Sequence, residues 1–211
     1  MARPKEFNTD EALLRAVGLF CRQGYAATST DELMQAMGVS RQSMYDTFGD
    51  KRALFLQALE SYVTHSVQSL RAELEKPGPP LSALRNALVA FAERKDMASA
   101  EGCMGLNAVS EFGETDPDVT RILRTAARSQ RDVVLRLLTS ARERGELDAE
   151  VDMDSAADFF ESTLAGIRMA AKAGKPRKAL RNIALLAGRA LRLRGSDHRI
   201  AGVIGSQETA L

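Results

Sequence analysis

Residues 27–52 read ATSTDELMQAMGVSRQSMYDTFGDKR, and this stretch decides the fold of the N-terminal part of the chain. Ser29 and Glu32 have the spacing of a capping box, which predicts the start of a helix. Gly38 follows the last apolar residue of that helix and can adopt the left-handed conformation that ends it. Ser40 can then cap a second short helix. Two short helices joined by a tight turn that contains glycine form a helix-turn-helix motif.

Basic residues stand at the starts of the helices in this stretch. Arg41 opens the second short helix, and Lys51 and Arg52 open the next one behind a predicted Asp50 cap. A cation at a helix N-terminus faces the positive end of the helix dipole, which costs about 0.3–1 kcal/mol. Three such placements indicate that an anion binds there, and DNA phosphates would serve. The second helix is the one expected in the major groove.

The segment GVSRQSMYDTFGDKRALF, residues 38–55, resembles the DNA-binding segment of TetR-family transcriptional regulators. The matching positions are Gly38, Val39, Ser40, Met44, Tyr45, Phe48, Lys51 and Leu54. The chain departs from the family pattern at Thr47, where His or Tyr is usual, and at Asp50, where Ser or Asn is common. Asp50 can still cap a helix, whereas the smaller Thr47 weakens a phosphate contact.

Apolar residues at helical spacing predict helices along the rest of the chain. The predicted ranges are 9–23, 51–75, from 82 onward, 102–112, 117–144, 152–173 and 176–194. No stretch alternates with the period of a strand, so the fold class is all-α. We expect a three-helix helix-turn-helix DNA-binding domain over residues 1–50 and a larger helical ligand-binding and dimerisation domain over 51–195. Residues 196–211 are small and polar and predict a flexible tail.

Composition excludes several classes of function. The net charge is +1, and residues 1–60 hold seven Lys and Arg against eight Asp and Glu, so DNA affinity would have to come from local placement. The apolar runs are too short to cross a membrane and the start lacks a signal peptide, which predicts a cytoplasmic protein. His65 and His198 lack partners at ligand spacing, which predicts neither a metal site nor a cofactor. No catalytic motif is present, so we expect a protein that is not an enzyme.

The DNA contacts can be predicted from position on the helices and from the family motif. Arg41, Gln42 and Ser43 lie on the first turn of the second helix and can reach base edges, where Arg suits guanine and Gln suits adenine. Five further residues would hold phosphates and set the register. These are Thr28, Ser29, Tyr45, Thr47 and Lys51.

The family resemblance also implies a dimer and an effector. Helices 152–173 and 176–194 carry small residues and apolar residues on more than one face, so we expect them to pair with a second copy. The effector would be a small apolar or amphipathic molecule that moves helix 51–75 and releases a repressor from a palindromic, double-stranded operator. The predicted lining residues are Tyr62, Phe91, Cys103, Met104, Asn107, Phe159 and Thr163.

Two alternatives remain open from the sequence. In the first, the Cys103 thiol senses oxidants or electrophiles, which requires partial exposure and an electropositive neighbourhood. In the second, the chain is a helical protein that binds a protein partner and makes no specific contact with DNA. The steep salt dependence of phosphate contacts would distinguish a DNA-binding protein from the latter.

Overall fold

The computed structural model describes residues 7–94 and 102–191. Within these ranges every regular element is an α-helix, as predicted. In chain order the helices described are α1 (Thr9–Gln23), α2 (Thr30–Met37), α3 (Arg41–Phe48), α4 (Lys51–Leu74), α5 (Pro80–Ala92), α6 (Met104–Phe112), α7 (Pro117–Glu143), α8 (Met153–Lys172) and α9 (Arg177–Ala190). The predicted tail, residues 196–211, lies outside the described residues. So do residues 1–6 of the predicted range 1–50 and residues 192–194 of the predicted helix 176–194.

The helix ends follow the caps that the sequence predicts. Asn8 accepts the backbone N–H groups of Asp10 and Glu11 at the start of α1. Asp50 accepts the N–H of Ala53 at 2.8 Å and starts α4. Helix α5 begins at Pro80, two residues before the predicted start, because a proline in the first turn needs no hydrogen-bond acceptor for its nitrogen.

Helices α1, α2 and α3 pack with the first half of α4 around one hydrophobic cluster. Phe20, Leu33, Met44, Leu54 and Phe55 are almost fully buried in it. The Phe20 and Phe55 rings meet edge to face, with their centroids 5.1 Å apart. Edge-to-face pairs contribute stability beyond the area they bury. This cluster packs α3 against the first half of α4.

The second hydrophobic cluster joins the C-terminal half of α4 to α5, α7, α8 and α9. Helix α9 packs closely on α5, and a Cβ atom added at Gly188 would lie 2.4 Å from Arg85 Cγ. A glycine at this position therefore lets the two helices approach. Phe160 on α8 is fully buried in the same cluster.

Helix α6 and the start of α7 belong to the N-terminal cluster, although they follow the predicted boundary by more than fifty residues. Met104 and Ala108 of α6 are buried there, as are Val119 and Ile122 of α7. The division at residue 50 stays a prediction, and the packing makes α6 a bridge between the two predicted units.

Candidate functional site

The helix-turn-helix motif is built by local hydrogen bonds. The Ser29 hydroxyl accepts the N–H of Glu32 at 3.2 Å, and the Glu32 carboxylate accepts the N–H of Ser29 at 2.8 Å. These two bonds complete the predicted capping box. Gly38 ends α2 with φ of 69°, in the left-handed region. Ser40 accepts the N–H of Ser43 at 3.1 Å and starts α3.

Helix α3 presents a polar face to solvent and an apolar face to the core. Met44 and Phe48 are buried, whereas Arg41, Gln42 and Tyr45 are exposed. Arg41, Gln42 and Tyr45 lie at i, i+1 and i+4, which places these three residues on one side of the helix. Three predicted DNA contacts therefore share one accessible face. Ser43 and Thr47 are partly buried beside that face.

Thr28 does not lie on this surface. Its side chain is 1% exposed, and its hydroxyl donates to the carbonyl of Gly24 at 2.6 Å. The Ser29 hydroxyl donates to the Glu32 carboxylate at 2.7 Å. The predicted phosphate contact through the Thr28 hydroxyl does not fit this placement, because a buried hydroxyl that is already bonded supports the turn instead.

The three cations at helix starts all have partners within the chain. Arg41 pairs with Asp31 at 2.7 Å, with both side chains exposed. Lys51 lies over the ring of Tyr25, 4.3 Å from its centroid. Arg52 binds Asp116 and Asp118 at the start of α7. The inference that all three await an external anion is therefore wrong for Arg52. An exposed pair is worth about 0–1 kcal/mol, so Arg41 can exchange Asp31 for DNA.

A cavity of about 290 Å³ lies among α4, α5, α6, α7 and α8. Its wall is mainly apolar, with Leu70, Leu106, Val109, Leu123 and Leu164 among the side chains. Its polar side chains are Ser66, Cys103, Gln130, Glu161 and Arg168. A separate cleft of about 310 Å³ between α4 and α7 contains none of the predicted ligand contacts.

Arg168 organises the polar end of this cavity. Its Nη1 donates to the Tyr62 hydroxyl at 2.7 Å and to Cys103 Sγ at 2.9 Å, and its Nη2 donates to Ser66 Oγ at 2.7 Å. The guanidinium also lies over the Phe91 ring, 4.8 Å from the centroid. Burial opposes ionisation of the Cys103 thiol, yet Arg168 and the hydrogen bonds outweigh it and lower the pKa of that thiol. Burial raises the pKa of Tyr62, so its hydroxyl stays protonated.

Comparison with known proteins identifies the family. The family model described as "Bacterial regulatory proteins, tetR family" matches residues 12–58. The model described as "Tetracyclin repressor-like, C-terminal domain" matches residues 77–185. The chain belongs to the TetR family.

Individual relatives agree with this assignment. The HTH-type transcriptional regulator YezE of Bacillus subtilis (strain 168) is 32% identical over 174 residues, which cover 82% of this chain and 90% of YezE. The HTH-type transcriptional repressor ComR of Escherichia coli (strain K12) is 29% identical over 197 residues and 90% of each chain. A solved TetR-family regulator, a CifR cysteine mutant with 26-bp operator DNA, is 29% identical with a TM-score of 0.71, covering 89% of this chain and 99% of that chain.

This TetR-family chain is a DNA-binding, ligand-responsive transcriptional regulator with an N-terminal helix-turn-helix and a C-terminal helical domain. The comparisons favour this function over the Cys103 sensor and over a protein without specific DNA binding. Members of the family are regulators of transcription. None of the helices described is long and apolar enough to span a membrane.

The predicted ligand contacts of this TetR-family regulator fall in different places. Phe91 and Cys103 line the cavity, and Tyr62 contacts Arg168 beside it. Met104 is fully buried in the N-terminal cluster, so it does not line the cavity. Phe159 is 40% exposed on the outer side of α8.

Asn107 and Thr163 are engaged in hydrogen bonds away from the cavity wall. Asn107 Nδ2 donates to the carbonyls of Cys21 at 2.9 Å and Phe20 at 3.3 Å. Thr163 donates to the Phe159 carbonyl at 2.8 Å. Sequence reasoning also missed Arg168. A cation beside the buried residues Leu164, Ile167 and Ala171 was the available signal, because an arginine that is withdrawn from water usually has a functional or structural partner.

Helix α6 connects the cavity to the DNA-binding unit. At its start, Cys103 Sγ accepts the N–H of Leu106 at 3.4 Å and contacts Arg168. At its end, the Glu111 carboxylate accepts the N–H groups of Tyr25 at 2.9 Å and Ala26 at 2.7 Å. Residues 25 and 26 lie between α1 and α2. One short helix thus contacts both the polar end of the cavity and the turn that leads into α2.

Proposed function

We propose that the protein is a cytoplasmic repressor that binds a palindromic operator as a homodimer and leaves it when a small amphipathic effector enters the cavity. The observation that carries the proposal is the accessible face of α3, on which Arg41, Gln42 and Tyr45 stand together above a buried core. ComR, a relative over most of its length, is named a repressor, and the CifR mutant binds operator DNA.

The proposed contacts divide into two kinds. Arg41, Gln42 and Ser43 at the start of α3 read base edges in the major groove. Tyr45, Thr47 and Lys51 hold phosphates, together with backbone N–H groups near residue 29 at the start of α2. Arg41 gives up its exposed pair with Asp31 on binding, which costs little because that pair is screened by solvent.

The proposed dimer uses the outer faces of α8 and α9. Phe159, Met169 and Leu186 are 40%, 52% and 62% exposed, and a Cβ at Gly166 would meet no atom within 4 Å. Exposed apolar side chains on two adjacent helices match a partner surface. Leu186→Glu should convert the dimer to a monomer in sedimentation at micromolar concentration, and a wild-type protein that sediments as a monomer would refute the interface.

The proposed release begins at the cavity. Helix α4, as expected from the family, and α6 both line the cavity and pack in the N-terminal cluster. A ligand that shifts either helix changes the separation of the two recognition helices in the dimer. Such coupling requires that the ligand bind the released state more tightly than the DNA-bound state.

The test is selection of an operator from a random duplex library by the purified full chain, followed by affinity measurements. Arg41→Ala should weaken operator binding by about tenfold or more, since a bidentate base contact is worth about 1–3 kcal/mol. Tyr45→Phe should reduce affinity for all sequences alike. Arg124→Ala removes an exposed arginine of α7 and should leave affinity unchanged. Failure to enrich any sequence, or equal affinities in all variants, would overturn the proposal.

A further inference from the structure

Arg168 is a partly buried cation, and no carboxylate pairs with it among residues 7–94 and 102–191. Within the described ranges, no acidic side chain lies at ion-pair distance from its guanidinium, which is held by two hydroxyls, one sulfur and two ring faces. Moving a charge out of water is costly unless an opposite charge or hydrogen bonds compensate. Hydroxyl oxygens and ring faces compensate only in part. The site is thus arranged to stabilise a negative charge placed beside Arg168.

Arg168 also has donors to spare. A guanidinium carries five N–H groups, and its contacts with Tyr62, Cys103 and Ser66 use three of them. The other two have no acceptor among residues 7–94 and 102–191. Since Arg168 lines the cavity, an anion inside it can accept these donors directly. Arg168 lowers the pKa of the Cys103 thiol, which shows that negative charge is favoured at this position.

The rest of the wall sets the character of the ligand. Leucine, valine, alanine and phenylalanine side chains from α4 to α8 form most of it, so the body of the ligand is apolar. The cavity volume of about 290 Å³ lies at the lower limit of the roughly 300–1,000 Å³ usual for ligand pockets. The ligand is therefore small.

Glu161 limits the number of charges. It lines the same cavity seven residues before Arg168 on α8, which is about 10 Å along a helix. Its Oε2 lies 3.4 Å from Arg131, and its buried Oε1 has no hydrogen-bond partner among the described residues. A second anionic group near Glu161 would meet a carboxylate. The cavity therefore favours a monoanion over a dianion of similar length.

We propose that this cavity binds a small monocarboxylate, with the carboxylate on Arg168 and the apolar chain against the leucine wall. The proposal rests on the proposed function in that it names the chemical class of the effector. The expected effector, an apolar or amphipathic small molecule, is thereby restricted to an amphipathic anion.

The first experiment is calorimetric titration of the full wild-type chain with hexanoate, hexanamide, hexylammonium and adipate, extended to butanoate and octanoate. Hexanoate should bind at least about tenfold more tightly than its neutral amide, as expected for a hydrogen-bonded, partly buried charge. Adipate and hexylammonium should bind more weakly than hexanoate. Equal binding of hexanoate and hexanamide, or no binding by any of the three monocarboxylates, would overturn the proposal without any mutant.

Variants then assign the preference to one residue. Arg168→Gln should abolish the difference in affinity between hexanoate and hexanamide. If that variant does not fold, Arg168→Lys is used instead and should retain part of the difference. Lys172→Gln removes an exposed cation one turn later on the same helix, where Lys172 binds Asn107 at 2.8 Å, and should keep the full difference. A preference lost equally in Arg168→Gln and Lys172→Gln would mean that only general charge attraction operates.

Measurements of operator release distinguish a failure of the carboxylate site from a failure of the proposed function. If the protein binds its operator but no monocarboxylate binds the protein, the carboxylate site is wrong and the regulator stands. If hexanoate binds through Arg168 and operator affinity is unchanged, the site stands and the effector role fails. The carboxylate site and the effector role are both supported if hexanoate weakens operator binding by the wild-type protein and by the Lys172→Gln variant, while operator binding by the Arg168→Gln variant stays unchanged.

Discussion

Glu111→Gln should loosen the attachment of the DNA-binding unit to α6. The wild-type carboxylate uses one oxygen for the Tyr25 N–H and the other for the Ala26 N–H. Glutamine keeps one acceptor oxygen and turns an NH₂ donor toward the other N–H. Hydrogen bonds to charged groups contribute about 1.5–3 kcal/mol. Because this site is exposed, we expect the loss of one bond to cost about 1–2 kcal/mol in the free energy of unfolding.

For a chain of this size, 1 kcal/mol corresponds to a shift of about 2–4 °C in Tm, so Glu111→Gln should lower Tm by roughly 2–8 °C. Glu114→Gln is the matched control, because Glu114 forms an exposed ion pair with Arg124, and its replacement should change Tm little. Hydrogen exchange should show faster exchange of the Tyr25 and Ala26 amides in Glu111→Gln alone. Equal Tm values for the two variants, with unchanged protection of both amides, would refute the reasoning.

Three further predictions concern the ends and surfaces of helices. Gly38→Ala should cost about 1 kcal/mol because φ is 69° there, whereas Gly18→Ala inside α1 should stabilise by up to about 1 kcal/mol; urea unfolding measures both. The hydrogen bond from Arg52 lowers the pKa of Asp116 in the folded protein below the unfolded value of 3.8. The ionised Asp116 carboxylate therefore stabilises the fold above pH 3.8, and this stabilisation is lost as the pH falls through the folded pKa. Asp116→Asn should therefore flatten the acid side of the stability curve measured by urea unfolding from pH 7 to pH 3. Operator affinity should fall steeply with salt, and Lys51→Gln should reduce that slope if Lys51 holds a phosphate; an unchanged slope would remove Lys51 from the interface.

The sequence predicted those parts of the structure that depend on neighbouring residues. Capping at Ser29, Ser40 and Asp50 involves partners three residues away, and Gly38 acts through its own backbone. Such interactions are readable because sequence spacing fixes their geometry. The same holds for the buried face of α3, where helical periodicity separates Met44 from the exposed side chains. The helix-turn-helix motif could thus be placed almost residue by residue.

The cavity could not be placed in this way. Arg168 meets Tyr62 and Cys103 across 106 and 65 residues, and no spacing rule covers such distances. Phe159 was expected inside, yet it faces outward, because periodicity shows that a helix face is apolar but not whether the chain itself or a second copy covers it.

The position of α6 accounts for both misplaced ligand contacts on that helix. Met104 and Asn107 were expected at the cavity, but Met104 is buried in the N-terminal cluster and Asn107 binds two carbonyls of α1. Helix α6 packs one face against the DNA-binding unit, and its N-cap residue Cys103 contacts Arg168. A shift of α6 at the cavity would therefore change its contacts with α1. An anion that binds the two remaining donors of Arg168 pulls on the guanidinium that contacts Cys103 at the start of α6, while the Glu111 carboxylate at the other end of the helix holds the turn into α2. By reciprocity, operator binding that fixes this turn should weaken the affinity for the effector by the same factor. The contacts between the cavity and the DNA-binding unit therefore involve α6 as well as α4, and the two ends of the nine-residue helix α6 carry them.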